Sequence, residues 1–423
     1  MRVLFASYPE KPVFQYLVTL AWALRTAGHE VRFASQANFA GVINQAGLTA
    51  QPAGDNPEPW RLTHLSAEQR EEERPGLPAP YDVLDNPGNI TWPYLRDGYA
   101  GPVVRRYVME SLPMIPDLLE FARAWRPDLV VWEPNCYAGP LAAKVSGAAH
   151  ARLLFGLDIF GLARTHFLRL RAEQPAEEQV DPLAQWFDKQ LAPYGEEFTE
   201  DLATGHFTVD QFPESLAEPA ADLRYLRMQY IPYGGPAVVP GWLRDPPRKP
   251  RVGLTMGLSA TDHFGGYTIG LQDVLDALAG LDIEVVATVA DKEKARLARI
   301  PANTRVIPYV PLHALAPTCS AVIHHAGAAT MATVSRYGVP QLALHLHFDQ
   351  PALARRLAGQ GAGLAIANDE VTGDAVAAAV RRLLTEPAFT ERATALEEEI
   401  RRLPSPNQLV TEIEQLTAEH RNS

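Results

Sequence analysis

Ala321-Val322-Ile323-His324-His325-Ala326-Gly327-Ala328-Ala329-Thr330 is the stretch whose reading decides the fold. An apolar run breaks into a turn of small residues, and residues 331–337 have the composition of a helix. Gly338-Val339-Pro340 stops that helix, and Gln341-Leu342-Ala343-Leu344 reads as a second buried strand. The polar cluster 345–350 closes it before another helix over 351–360. This order is the βαβ logic of a parallel sheet. Small residues at 326–329 let a ligand approach the backbone, and the free N–H groups of the following helix carry a partial positive charge. His325 and Thr330 add donors at the same place. The stretch reads as a phosphate site formed by His325, Gly327, Ala328, Ala329 and Thr330. A plain small-residue turn is the competing reading, and the second polar turn, His347-Phe348-Asp349-Gln350, weighs against it. Both turns fall at carboxyl ends of strands, where open α/β sheets bind ligands. Asp349 and Gln350 offer groups suited to sugar hydroxyls.

These residues resemble the nucleotide-sugar signature of family 1 glycosyltransferases of GT-B fold, specifically the actinobacterial antibiotic (macrolide and anthracycline) enzymes. The family pattern HHGGAGT, GVPQ and DQ stands here as residues 324–330, Gly338-Val339-Pro340-Gln341 and Asp349-Gln350, with two glycines replaced by alanine. The resemblance covers nearly the whole chain. It implies an α/β architecture of two Rossmann-like domains facing each other across a cleft. Residues 1–218 would bind the acceptor, 219–250 would link, 251–404 would bind the nucleotide sugar, and 405–423 would return as a helix to the first domain.

Outward from the signature, Arg251-Val252-Gly253-Leu254-Thr255 restarts a strand and runs into a donor-side loop containing Gly257 and Ser259. Helix 271–280 and strands 283–288 and 304–307 follow. In the resemblance, Tyr309 stacks the nucleobase, the Val310 backbone pairs its edge, and Thr333 takes the place of a ribose-binding acid. That last exchange favours a thymidine nucleotide.

The first half opens with a strand at 2–6, a turn through Pro9 and Pro12, a helix marked by Leu17, Leu20, Ala21 and Leu24, and a strand at 31–34. It lacks GxGxxG, so this loop is not a dinucleotide site. Residues 54–100 are rich in proline, and Glu68 to Arg74 is a solvated charge run. Trp60, Tyr81 and Trp92 in this segment either line an apolar acceptor cleft or pack over the domain. A helix over 103–124 precedes the strand Leu129-Val130-Val131-Trp132 with Glu133 at its end, and Asp158 follows the strand 151–154.

Sugar transfer requires charge stabilisation at the leaving diphosphate and removal of a proton from the acceptor. No Asp-x-Asp occurs, so the helix start, rather than a metal, takes the first task. For the second, the family places a histidine soon after the first strand. Here the aligned residue is Val13, and residues 1–28 contain no histidine. Glu133, with Asp158 next, is the candidate base, a carboxylate whose pKa would rise beside an apolar cleft. An ordinary capping or ion-paired carboxylate is the alternative for both.

The 423 residues carry a net charge of −12, which excludes a general affinity for nucleic acid or anionic membranes. Two cysteines far apart fit a reducing compartment, and no signal sequence or run of 18 apolar residues is seen, so a cytoplasmic protein is expected. The expected function is inverting, metal-independent transfer of a deoxysugar from a thymidine diphosphate (TDP) sugar to a hydroxyl of a polyketide-type product, with no further cofactor. Likeness to desosaminyl transferases in Trp132-Glu133-Pro134 and Ile231-Pro232-Tyr233-Gly234 implies an activator protein homologous to cytochrome P450, and a homodimer is compatible. Two rivals stand beside this: a catalytically weakened binding or activating subunit, because of Val13, and a nucleotide-sugar epimerase of the same fold.

Overall fold

The computed structural model describes residues 1–54, 66, 79–108, 111–257 and 265–421, without the side chains of 106 and 107. Trp60, Ser259 and the charge run at 68–74 lie outside the described residues. Two parallel sheets organise the chain. The first has the order β3-β2-β1-β4-β5-β6-β7, with β1 Arg2–Ala6, β2 Glu30–Ser35, β3 Ala50–Pro52, β4 Leu129–Trp132, β5 Ala149–Leu153, β6 Phe207–Asp210 and β7 Tyr225–Arg227. The second has the order β10-β9-β8-β11-β12-β13, with β8 Arg251–Thr255, β9 Glu284–Thr288, β10 Thr304–Ile307, β11 Ala321–His324, β12 Gln341–His345 and β13 Gly363–Ala367.

The strands are continuous apolar runs because helices cover both faces of a parallel sheet. β4 is buried along all four residues and β11 along all four. In each sheet the winding reverses between the first strand and its later neighbour, at β1/β4 and at β8/β11. Such a reversal opens a crevice at the carboxyl ends of the two strands.

Several expectations are corrected. Pro12 does not belong to a turn. Helix Lys11–Thr26 already includes it, since a first-turn proline sacrifices no hydrogen bond. The single helix over 103–124 is instead a π-turn segment, Tyr99–Tyr107, a short 3-10 turn, Leu112–Met114, and a helix, Ile115–Trp125. Pro113 and Pro116 forbid one continuous ladder. Residues 219–250, expected as linker, include β7, which pairs with β6 from Thr208↔Tyr225 to Asp210↔Arg227.

The two halves are tied together across their facing edges. Arg355 donates to Asp85 Oδ1 at 2.5 Å, Arg356 to the Leu216 carbonyl at 2.8 Å, and Glu399 accepts from Ser215 N–H at 3.0 Å and Oγ at 2.6 Å. Helix Pro406–Arg421 lies against helix Lys11–Thr26 and β5. Leu409, Val410, Ile413 and Leu416 are its buried stripe, and His29 Nε2 meets Glu414 Oε1 at 2.9 Å beside it. Among the described residues no helix is long and apolar enough to cross a membrane. Leu416 is fully buried, so Leu416→Ala is expected to lower unfolding free energy by about 2–5 kcal/mol. Urea unfolding checks this, and a cost below about 1 kcal/mol would show that the helix does not dock as described.

Candidate functional site at the facing strand ends

The turn after β11 is set by a buried histidine. Ala326 has φ +61, a left-handed conformation that costs a non-glycine residue roughly 1–2 kcal/mol. Its N–H donates to His324 Nδ1 at 3.0 Å, which leaves the ring proton on Nε2. That atom donates to Gln341 Oε1 at 2.9 Å, and the Gln341 amide donates in turn to Ser335 Oγ at 2.9 Å. Burial, with His325 adjacent, holds the His324 imidazole down to about 3, so it is neutral. The chain Ala326–His324–Gln341–Ser335 fastens the turn both to β12 and to the far end of the helix that the turn opens.

That helix is Ala328–Ser335. Its N-cap, Gly327, supplies no side-chain acceptor, so the first-turn N–H groups remain available to an anion. Beside them lies the His325 ring. A Cβ on Gly327 would stand 2.3 Å from His325 Nε2, and one on Gly257, whose φ is +71, would stand 2.6 Å from Cε1. Both glycines are therefore required for the ring to sit between the ends of β8 and β11, at the reversal point. Burial and the neighbouring His347 lower the His325 pKa to about 4, against an opposing hydrogen bond to the Thr255 backbone. His325 Nδ1 is buried without a hydrogen-bond partner, a state that costs about 1–3 kcal/mol unless a ligand relieves it. Ala329 and Thr330 are partly exposed on the same turn.

The second polar turn follows β12. Asp349 is buried and accepts from the Leu157 N–H of the first half at 3.1 Å through Oδ2. Burial, the dominant effect, pushes its carboxyl up to about 6. Gln350 Oε1 accepts from the N–H groups of Leu346 and His347 at 3.0 and 3.4 Å, which leaves the two amide protons for a ligand. Tyr309 is 44% exposed, with its hydroxyl donating to the Gly234 carbonyl at 3.2 Å, so its ring is open to stacking while Val310 is buried behind it. Thr333 differs from expectation. It is buried, its hydroxyl donates back to the Ala329 carbonyl at 2.7 Å, and it also bonds Tyr230. It packs the underside of the helix.

On the first half, Glu133 is wholly buried at the end of β4, with Oε1 accepting from Tyr8 N–H at 3.2 Å and Oε2 from Asn135 N–H at 2.7 Å. It fastens the loop after β1 to the end of β4 and does not face an open cleft as a base would. Asp158 is likewise structural. It caps helix Ile159–Ala172 through the Gly161 N–H at 2.8 Å, pairs with Arg152 at 2.5 Å and accepts from Tyr225 at 2.6 Å. Its oxygens hold a helix start, a guanidinium and a hydroxyl, a structural role that corrects its candidacy as a base. Val13 is buried in the first turn of helix Lys11–Thr26. Tyr81 packs on Phe160, and Trp92 on Phe167, with only 4% and 7% exposure. Of the two readings open for these aromatics, packing over the domain is what the structure shows.

Other residues carry a signal that the sequence reading missed. Among the described residues, buried polar side-chain atoms without hydrogen-bond partners include those of Ser35 at the end of β2, Gln36 just after it, Asn135 after β4 and Gln211 after β6, with Tyr16, Thr19, Trp92 and Arg152 elsewhere in the first half. The first four lie at a strand's carboxyl end, the same edge as His325. Position after a strand was the available clue, but β6 was hidden by its polar composition, Phe-Thr-Val-Asp.

The grouping of His150, Asp201 and His206 has the spacing of a metal site. It lies at the amino ends of β5 and β6, on the opposite edge. Trp132 Nε1–H donates to His150 Nδ1 at 3.2 Å, so His150 Nε2–H donates to Asp201 at 3.0 Å, while His206 Nδ1 accepts the His150 backbone N–H at 3.1 Å. Their lone pairs and protons are committed to one another.

Because His324 accepts at Nδ1 and is held near 3, its ring is expected to stay neutral and protonated on Nε2 from pH 8 to pH 5. Nitrogen-15 NMR of the imidazole checks this, and a titration midpoint between pH 6 and 7 would contradict it.

The erythromycin biosynthesis protein CIII-like family matches in two parts, its N-terminal domain over residues 22–257 and its C-terminal domain over residues 272–416. The chain is 44% identical to 10-deoxymethynolide desosaminyltransferase of Streptomyces venezuelae, covering 100% of this chain and 98% of that protein. It is 41% identical to aclacinomycin-T 2-deoxy-L-fucose transferase of Streptomyces galilaeus, over 100% and 97% of the two chains. The crystal structure of glycosyltransferase VinC in complex with dTDP superposes with a TM-score of 0.88 at 38% identity, over 99% and 100% of the two chains. Matched through both halves and related end to end to sugar transferases, the chain belongs to the erythromycin biosynthesis protein CIII-like family of GT-B glycosyltransferases.

Proposed function

We propose that the chain transfers a deoxysugar, with inversion and without a metal, from a TDP-sugar to a hydroxyl of a polyketide-type natural product. The observation that carries this is the neutral His325, whose buried Nδ1 has no hydrogen-bond partner, beside the uncapped start of helix Ala328–Ser335. Donors fixed in advance at the leaving diphosphate stabilise the charge that develops as the glycosidic bond breaks, worth roughly 2.7–4 kcal/mol each. Thymidine as the base rests on the relatives and on the stacking face of Tyr309, since Thr333 points to packing. Asp349 and the Gln350 amide would hold sugar hydroxyls. The likeness to desosaminyl transferases supports dependence on a P450-like activator protein as well.

Val13 favours a second reading, in which the chain binds donor and partner but turns nothing over. TDP release that requires both a macrolactone acceptor and the chain decides between the two. Sustained acceptor-dependent release supports transfer, and donor binding with no release under any activator condition supports the binding subunit.

His325→Ala is expected to weaken TDP binding by about 1.5–3 kcal/mol, measured by calorimetry on a folded variant, and EDTA is expected to leave turnover unchanged. Unaltered affinity, or a magnesium requirement, would remove the respective claim. Because both oxygens of Glu133 accept backbone N–H groups, Glu133→Gln is expected to cost about 1–3 kcal/mol of stability. The kcat of its folded fraction should stay within about tenfold of wild type. A fully stable variant slowed by about 10²–10⁴ would instead restore Glu133 as the base.

A further inference from the structure

The loop after β5 crosses from the acceptor-side half to touch the donor-side turn, and it does so at a residue with no side chain. Leu157 N–H donates to Asp349 Oδ2 at 3.1 Å, between residues 192 apart in sequence. A Cβ on Gly156 would lie 2.1 Å from the same oxygen and 3.8 Å from the Cβ of Ala328, the first residue of the helix at the anion site. Around this point the halves meet through aromatic rings. Phe348, held at φ +61, stacks on Phe155 at 6.5 Å and 8°, and its edge meets Phe160 at 6.1 Å.

We infer that Gly156 is a positioning residue for sugar transfer, because its missing side chain lets Leu157 N–H grip Asp349 and so fixes the carboxylate that receives the donor sugar. Three facts support it together. Asp349 is buried, and its carboxylate accepts from backbone N–H groups, that of Leu157 and its own. Gly156 and Leu157 both bear on Oδ2, so this oxygen is anchored. The anchor also belongs to the opposite half, so the carboxylate is correctly aimed only when the acceptor-side loop is closed on the donor side. Any side chain at 156 must push the carboxylate away or hold the halves apart. The inference rests on the reading of Asp349 as the sugar ligand given above.

The test separates the two. Calorimetry with TDP, and with TDP-2-deoxy-L-fucose and TDP-D-glucose, gives the affinity added by the sugar, using the tighter sugar nucleotide. In Gly156→Ala this sugar increment is expected to disappear while TDP affinity is unchanged, and kcat/KM for transfer is expected to fall by up to about 10²-fold. Asp349→Ala should abolish the same increment. In that background Gly156→Ala should add nothing, because one residue acts through the other. If the wild type shows no sugar increment, or Asp349→Ala leaves it intact, the reading of Asp349 fails and this inference with it. If Asp349→Ala abolishes the increment but Gly156→Ala preserves it, or if the two losses add, the inference alone is overturned. Should Gly156→Ala not fold, the double variant with Asp349→Ala is expected to recover folding, since the clash is gone. Failure to recover would also overturn the inference.

Discussion

The second half of the chain is organised around one buried imidazole. His324 accepts the N–H of Ala326 and donates to Gln341, and this pair of bonds holds a left-handed turn at a residue that does not favour it. Without that turn, the helix starting at Ala328 would not present its first N–H groups at the strand end, nor would His325 find space between Gly257 and Gly327. The preceding strand, the turn and the helix are thus fixed by a single neutral side chain whose low pKa follows from its burial. A protonated His324 could not accept from Ala326, so the same burial that costs solvation also protects the geometry.

Two parallel sheets then bring their carboxyl edges together. Each sheet reverses its winding at its centre, and the reversals contribute Glu133 with the Tyr8 loop on one side and His325 with Gly257 on the other. Backbone groups facing a crevice must find partners. On the first half Glu133 and Asp158 accept from such groups. The atoms left over at the strand ends include those of Ser35, Gln36, Asn135 and Gln211. These uncharged donors and acceptors suit an acceptor rich in hydroxyl and carbonyl groups. The donor side, by contrast, concentrates imidazoles and a helix terminus, which suits a diphosphate.

Most of the donor half was legible in the sequence because its signals are local. A buried strand, a run of small residues and a helix can be read in order, and the observed strand boundaries at β8, β10 and β12 fall within a residue of those read from periodicity. The roles of Glu133, Asp158 and Thr333 were not legible, because each depends on partners far away in the chain: Tyr8 for Glu133, Arg152 and Tyr225 for Asp158, Tyr230 for Thr333. A carboxylate at a strand end looks the same in sequence whether it caps a loop or takes a proton. β7 escaped notice for another reason: three residues at a sheet edge carry no periodicity, and the surrounding prolines dominate. The contact between Gly156 and Asp349 was equally invisible, since a glycine in a loop reports nothing about what approaches it.

The anomeric configuration of the product tests the central claim most directly. In the proposed reading the diphosphate is held by His325 and the helix start on one side of the sugar and the acceptor comes from the other half, so that attack would come from the face opposite the leaving group. Proton NMR of the glycoside formed from a TDP-deoxysugar of known configuration is expected to show the inverted anomer. A product retaining the donor's configuration would contradict the account.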